Sequence, residues 1–318
     1  MLLGAAFLAS GFFALKTAMS KAAEKHLEEA ILRLPPEIGM RFKGVSVDVL
    51  GQNVYIKDVT LSFPGESGPQ EAFIKEIVVY DMDRAHRFPR HGDVLIEGVR
   101  LDVQALASSK EEKARELASF LHSLGYDGPL QLRSRGSWKY AEKDAALEAK
   151  AVIGAKEMGK AMAEFRLTDL EAMQKVPWEW FFGQGKKEEK SMAGLAAMAA
   201  MSTTSLSLAR LAYEDDSLAQ RFFDLAEEEA RQEGRNFKEE AQDSLKQEID
   251  RAKTEGNPFS RQAFEALLDF VDHPKKIEIS ASPKKPVSLM QIAQKAVASR
   301  KNPEAIIKLL GLELQSSH

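Results

Sequence analysis

The chain has 318 residues, 44% of them hydrophobic and 29% charged, with a formal net charge of −4 and no cysteine. Lacking cysteine, it has no disulfide staples, thiolate nucleophiles or cysteine zinc sites. No basic excess is available to displace phosphate counterions, which argues against electrostatic nucleic-acid binding.

Leu2–Leu15 is an uncharged apolar run closed by Lys16. As a helix it spans roughly 21 Å, short of the roughly 30 Å hydrocarbon core. Residues 1–19 therefore read as an N-terminal anchor or signal-anchor, with a buried N-terminal helix as the alternative. No small-x-small cleavage site follows, which favours an uncleaved anchor. Lys16, Lys21 and Lys25 follow the run and no basic residue precedes it. Taken literally, the positive-inside rule keeps the body in the cytoplasm. Anchors that export a domain carry basic residues ahead of the apolar core, so the expectation is that further codons precede Met1 and that the body is exported.

A second region, residues 20–107, begins with a helix over Ser20–Leu34, stopped by Pro35-Pro36. Four strands follow, at Met40–Leu50, Val54–Phe63, Phe73–Tyr80 and Val94–Val103. A turn at Gly51-Gln52-Asn53 and a loop at Pro64–Pro69 connect the first three. Two of these strands share one unit: Val-Tyr-Ile-Lys-Asp-Val-Thr-Leu-Ser-Phe and Val-Leu-Ile-Glu-Gly-Val-Arg-Leu-Asp-Val. A third copy begins at Phe42-Lys43-Gly44-Val45, and looser versions lie at Phe165–Leu170 and Leu206–Tyr213. Each alternates apolar and polar residues, shifts phase by one at the Lys-Asp or Glu-Gly step, and alternates again. An inserted residue held in a β-bulge accounts for such a shift. Ile56, Val59, Leu61, Phe63, Ile96, Val99, Leu101 and Val103 then fall on one apolar surface. That surface is either core or a groove facing lipid or a partner. The link Asp81–Asp93 carries His86 and His91, whose spacing of five does not suit a helical metal pair; it reads as a solvated loop.

The third region, residues 108–175, opens with a capping box at Ser109–Glu112. The helix it starts carries Leu117, Phe120, Leu121 and Leu124 on one face and ends at Gly125. Alternation at Leu130–Tyr140, Leu147–Ile153 and Ala161–Leu167 predicts an antiparallel meander. The last region, residues 176–318, starts with an aromatic cluster at Trp178, Trp180, Phe181 and Phe182, then an Ala/Met-rich stretch. This segment reads as a membrane-interface flap or as a helix packed over the sheet end with a polar loop. A strand at Leu206–Tyr213 precedes mostly helical sequence. Its helices are marked by Gly256, Asn257-Pro258, Pro274, Ser288 with Gln291, and Asn302-Pro303. A short strand at Ile277–Ala281 interrupts them. The fold class is α+β: curved antiparallel sheet with bulged, repeated strands, a helical C-terminal part and an N-terminal anchor.

The sequence carries no glycine-rich phosphate loop, His-Glu-x-x-His or Gly-x-Ser-x-Gly elbow. Catalytic, cofactor-binding and metal-binding residues are accordingly expected to be none, and the protein is read as no enzyme. The apolar N-terminal run followed by Val-Tyr-Ile-Lys-Asp-Val-Thr-Leu and Val-Leu-Ile-Glu-Gly-Val-Arg-Leu resembles the AsmA-like envelope proteins of Gram-negative bacteria. The link Phe88-Pro89-Arg90-His91-Gly92-Asp93 stands where that group has a Pro-containing link. The chain is shorter than the long AsmA-like bridges and ends in helices. The resemblance implies inner-membrane attachment, a periplasmic body and a role in envelope or outer-membrane lipid homeostasis or assembly. Its implied partners are inner-membrane lipid and an envelope protein complex. The alternative is a structural subunit of a membrane transport or secretion complex, docking through the charged helices at Asp215–Lys253.

Overall fold

The computed structural model describes residues 19–29, 31–32, 38–48, 53–65, 68–83, 90–171, 198–298 and 304–317, the side chains of 63–65 and 68–70 excepted. Leu2–Leu15, Trp178, Trp180, Phe181 and Phe182 lie outside the described residues. The chain divides into two compact units: Met1–Ser137 with Ile153–Met158, and Trp138–Val152 with Gly159–His318.

In the first unit, residues 19–29 are helical (α1). β1 (Gly39–Arg41) and β2 (Gly44–Val47) both pair antiparallel with β3 (Val54–Gly65). β3 pairs with β4 (Gly68–Tyr80), and β4 with β5 (His91–Asp102). β6 (Pro129–Ala141) lies beside β5. The predicted Pro64–Pro69 loop is mostly ladder, since Pro64 faces Pro69 and Gly65 faces Gly68. The predicted Met40–Leu50 strand is broken at Phe42 and Lys43 into β1 and β2.

The phase shift in the repeated unit is present but its cause differs from the expected insertion. Asp58 and Gly98 take positive φ, 52° and 69°. Yet Lys57 pairs with Glu76 and Val59 with Ile74, while Glu97 pairs with Glu76 and Val99 with Ile74. No residue is therefore extra on any strand. Asp58, Lys75 and Gly98 stand abreast, Lys43 joins the row through an ion pair to Asp58 at 3.7 Å, and all the strands reverse phase together. A reversal shared by neighbouring strands keeps the ladder in register, whereas a bulge would displace it. Aspartate and glycine suit the left-handed conformation because one hydrogen-bonds locally and the other has no Cβ. A genuine register shift occurs elsewhere, between Arg166 and Leu167 opposite Ser207.

Past β5 the chain turns into α2 (Val103–Ala107), whose first-turn amides at Gln104 and Ala105 donate to the Asp102 carboxylate, each at 3.2 Å. Val103 was expected to end a strand; the Asp102 cap makes it the first residue of a helix instead. α3 (Glu112–Ser123) forms as predicted, but without the capping box. Ser109 accepts from the Glu111 amide at 3.1 Å, and Arg115 donates to the carbonyls of Ser109 and Lys110. Ala118 and Leu121 are its buried residues, so Leu117 and Phe120 stay 44% and 45% exposed. At its end Tyr126 donates its amide to the Leu121 carbonyl at 2.9 Å, with Gly125 at φ 78°.

The second unit takes most of β7 (Ala146–Ala155), then β8 (Gly159–Thr168), helical residues 198–203 (α4) and β9 (Ser205–Asp215). Three helices follow, α5 (Leu218–Gln232), α6 (Phe237–Thr254) and α7 (Pro258–Asp272). After them come β10 (Lys276–Ala281), β11 (Val287–Ser288), α8 (Leu289–Ala298), α9 (Glu304–Leu310) and β12 (Leu312–Ser317). The strand order is β8-β9-β10-β12, antiparallel at each step, with β11 beside the start of β9. Asn236 and Asn257 cap α6 and α7 by accepting from the amides of Glu239 and Ser260. Phe223 joins the three helices, its ring 6.4 Å from Phe237 and 6.3 Å from Phe270. α7 packs along β12, where Asp269 accepts from the Ser316 hydroxyl. No helix among the described residues is long and apolar enough to cross a membrane.

Candidate functional site

The apolar row read from the repeated unit is where the first unit is packed most tightly. Ile56, Val59 and Ile74 form a buried cluster, and Val59 is 0% exposed. Leu61, Ile96 and Val99 pack against it, together with Leu27 of α1 and Phe42 from the break between β1 and β2. Val103 is buried in α2, Leu101 is half-buried, and the Phe63 side chain lies outside what is described. Ile56 and Val59 are thus core, with no surface left for a ligand.

An open apolar face exists on the second unit. Cross-strand register puts Ala163, Leu211, Ile279 and Leu314 in one row across β8, β9, β10 and β12. The neighbouring row is Phe165, Ala209, Ala281 and Leu312. Because side chains directly opposite in a ladder share a face, both rows lie on the same side. At β12 this side is covered by α7, and Leu312, Leu314 and Ser316 are half-buried. Farther from α7 its large apolar side chains stay exposed: Leu211 of β9 is 57% exposed, Phe165 of β8 39% and Ile279 of β10 37%. Single exposed apolar side chains are ordinary, but Leu211 has Phe165 in the neighbouring row and Ile279 directly opposite, so the exposure is contiguous.

The opposite face is closed by charge. Lys160 pairs with Glu214 at 2.6 Å, and Arg210 bridges Glu164 at 3.5 Å and Glu278 at 2.9 Å. Lys276 also reaches Glu278, at 3.2 Å. These ions span β8, β9 and β10, and Ala212 is buried at their level. The sheet therefore has one face satisfied by its own cross-strand ion pairs and one whose apolar residues are only half covered. Alternation at Ala161–Leu167 and Leu206–Tyr213 marks both strands in the sequence. The sequence does not say that α7 lies along β12, over Leu314 and away from Leu211.

Polar groups that could carry chemistry are scattered. Among the described residues no group of three histidine, cysteine or acidic side chains is placed to hold a metal ion. The Arg135 guanidinium titrates above its ordinary range, first through its hydrogen bonds to Asp93 and then through that carboxylate's charge. Arg235 is raised likewise, chiefly by hydrogen bonds to Glu233 and Glu240. Both are surface pairings of an always-charged residue and create no acid or base near neutrality. His91 of the predicted histidine link sits 3.4 Å from Asp81, and His86 lies outside the described residues.

No curated protein matches this sequence. A family model described as "Uncharacterized protein" matches residues 152–317, the stretch holding β8, β9, β10, β12 and the helices between them. With more than half of its 318 residues inside that match, the chain belongs to this family.

Proposed function

We propose that this is a non-catalytic cell-envelope protein that holds lipid on the open face of its second unit. On this reading Leu2–Leu15 anchors it in the inner membrane, the body is periplasmic, and its role is envelope or outer-membrane lipid homeostasis or assembly, as the AsmA-like resemblance implies. The observation that carries the lipid reading is the contiguous exposure of Phe165, Leu211 and Ile279 beside alanines. An acyl chain laid across these side chains would remove their apolar surface from water.

The alternative reading, docking through the charged helices, is less well supported. Arg231 pairs with Glu227, Lys253 with Asp250, Arg251 with Glu248 and Lys246 with Asp243. Exposed pairs of this kind contribute little, and none of them singles out a partner.

The test is native mass spectrometry of the full chain extracted and purified from membranes, beside Leu211→Lys. Bound phospholipid on the wild type, lost in Leu211→Lys with an unchanged melting temperature, is the expected result. Equal lipid on both proteins, or none on either, would refute the reading. Protease added to spheroplasts checks topology: the body should be degraded, and full protection would place it in the cytoplasm.

A further inference from the structure

One helix of the second unit buries none of its side chains. α8 (Leu289–Ala298) reads Leu-Met-Gln-Ile-Ala-Gln-Lys-Ala-Val-Ala. Leu289, Met290 and Ile292 are half-buried, whereas every residue from Ala293 to Ala298 is exposed, Val297 to 64%. Gln291, Gln294 and Lys295 are spaced by three and four and share one face. Leu289, Ile292, Ala293, Ala296 and Val297 make up the other, so the helix is amphipathic. Its start is fixed: the Gln291 amide donates to the Ser288 hydroxyl at 3.2 Å, and the Leu289 amide to the Thr204 carbonyl at 2.9 Å. A helix this short draws its stability from packing its apolar face, yet the outer half of that face is open to solvent.

The charges around α8 say what that face suits. The chain has 48 acidic residues, but none lies between Glu278 and Glu304. Lys284, Lys285 and Lys295 fall in that gap, all exposed, and none has a carboxylate partner among the described residues. On α5 and α6, by contrast, Arg231, Arg251 and Lys253 each reach a carboxylate. Lys285 precedes Leu289 by four residues, so chain length alone keeps it within about 14 Å of the helix start. Val287, buried and paired with Leu206, ties this connection to β9. Unopposed lysines beside an exposed apolar face suit an anionic bilayer. Its phosphates take the ammonium groups while the apolar side chains enter the headgroup zone. A nucleic acid would use the lysines and leave the apolar face in water. A second copy packed on this face would bring like charge with it.

We propose that α8, with Lys284 and Lys285, is a contact surface for an anionic lipid bilayer, with Ala293, Ala296 and Val297 turned into it. The proposal does not depend on lipid at the open face around Leu211. Since the chain has no cysteine, Val297→Cys carries a single polarity-sensitive fluorophore at an exposed site that leaves the core untouched. The labelled full chain is mixed with vesicles of phosphatidylglycerol and phosphatidylcholine in equal parts, or of phosphatidylcholine alone, with a spin-labelled lipid as quencher. Reading the label rather than total binding keeps any contribution of Leu2–Leu15 out of the result. Anionic vesicles shift the emission to the blue and quench it, and phosphatidylcholine alone does neither. Lys284→Gln with Lys285→Gln cuts the ratio of inserted to aqueous label by about tenfold or more. Salt at about 0.5 M acts in the same direction, and Leu211→Lys changes nothing. A label that stays aqueous on anionic vesicles, an equal response to both vesicles, or an unchanged ratio in the lysine variant would each overturn the proposal. So would loss of the response in Leu211→Lys, or a blue shift that grows with protein concentration in the absence of lipid.

Discussion

Placing a carboxylate at Val59 should unfold the first unit. Val59 is fully buried, and its cluster partners Ile56 and Ile74, with Leu27, Phe42, Leu61 and Val99 packed around them, are all apolar. Val59→Asp gives up about 2 kcal/mol of buried hydrocarbon and adds the cost of desolvating an unpartnered carboxyl, several kcal/mol more. A total of about 5 kcal/mol or above consumes most of the roughly 5–15 kcal/mol that holds a domain together. Val59→Thr nearly keeps the shape and buries one hydroxyl, so it should cost about 1–3 kcal/mol. Leu211→Asp, with the same added charge at an exposed position, should cost less than about 1 kcal/mol. Urea unfolding followed by circular dichroism ranks the three, and amide exchange in β3 to β5 localises the loss. A Val59→Asp protein with wild-type midpoint and protected β3 amides would refute the core assignment and restore that row as open surface.

Three further substitutions test single features. Gly98→Ala should destabilise by about 1–3 kcal/mol by urea midpoint, because φ is +69° and the new Cβ would lie 2.7 Å from the Lys75 Cβ. Asn257→Ala should cost about 1 kcal/mol through loss of the cap on the Ser260 amide, and Asn257→Asp should restore it. Arg135→Met removes the bidentate contact to Asp93 and the guanidinium stacked 5.4 Å from the Tyr80 ring. Since the folded pKa of Arg135 is raised, its contribution is complete below the ordinary arginine range and fades only as pH rises beyond it. The drop in Tm on Arg135→Met should therefore be the same at pH 6 and pH 9, and a drop confined to one of them would refute the sign.

Period-two alternation made the strands legible, because it is a local property of half-buried backbone. The meander β6–β7–β8 and the strand β9 were readable for that reason. The meaning of the phase shift was not. A single strand looks the same whether one residue is inserted or its neighbours reverse with it, and only the pairing of Val59 with Ile74 and of Ile74 with Val99 distinguishes the two. Cap chemistry misled in the same way. Asp102 is polar and fits the alternation of β5, yet its carboxylate is committed to two amides ahead, which turns Val103 out of the strand. β12 went unassigned because Leu312-Glu313-Leu314 is too short to declare itself without β10 beside it.

The candidate site was hidden by a related ambiguity, and this bears on where function resides. Ile56 and Val59 in β3 and Leu211 in β9 belong to the same kind of alternating strand, and alternation says only that one face is apolar. In the first unit Leu27 of α1 and Phe42 pack onto that face and make it core. In the second, α7 packs along β12, while Leu211, two strands away on β9, remains 57% exposed. If coverage by helices is the deciding variable, shortening α7 should enlarge the open face without disturbing the ion-paired side. Covering Leu211 instead, by a cysteine-linked alkyl group at Leu211→Cys in this otherwise cysteine-free chain, should block lipid uptake while leaving Arg210, Glu164 and Glu278 paired. Undiminished lipid on the alkylated protein would mean that the exposed residues of β9 are incidental, and the lipid reading of this face would fail with them.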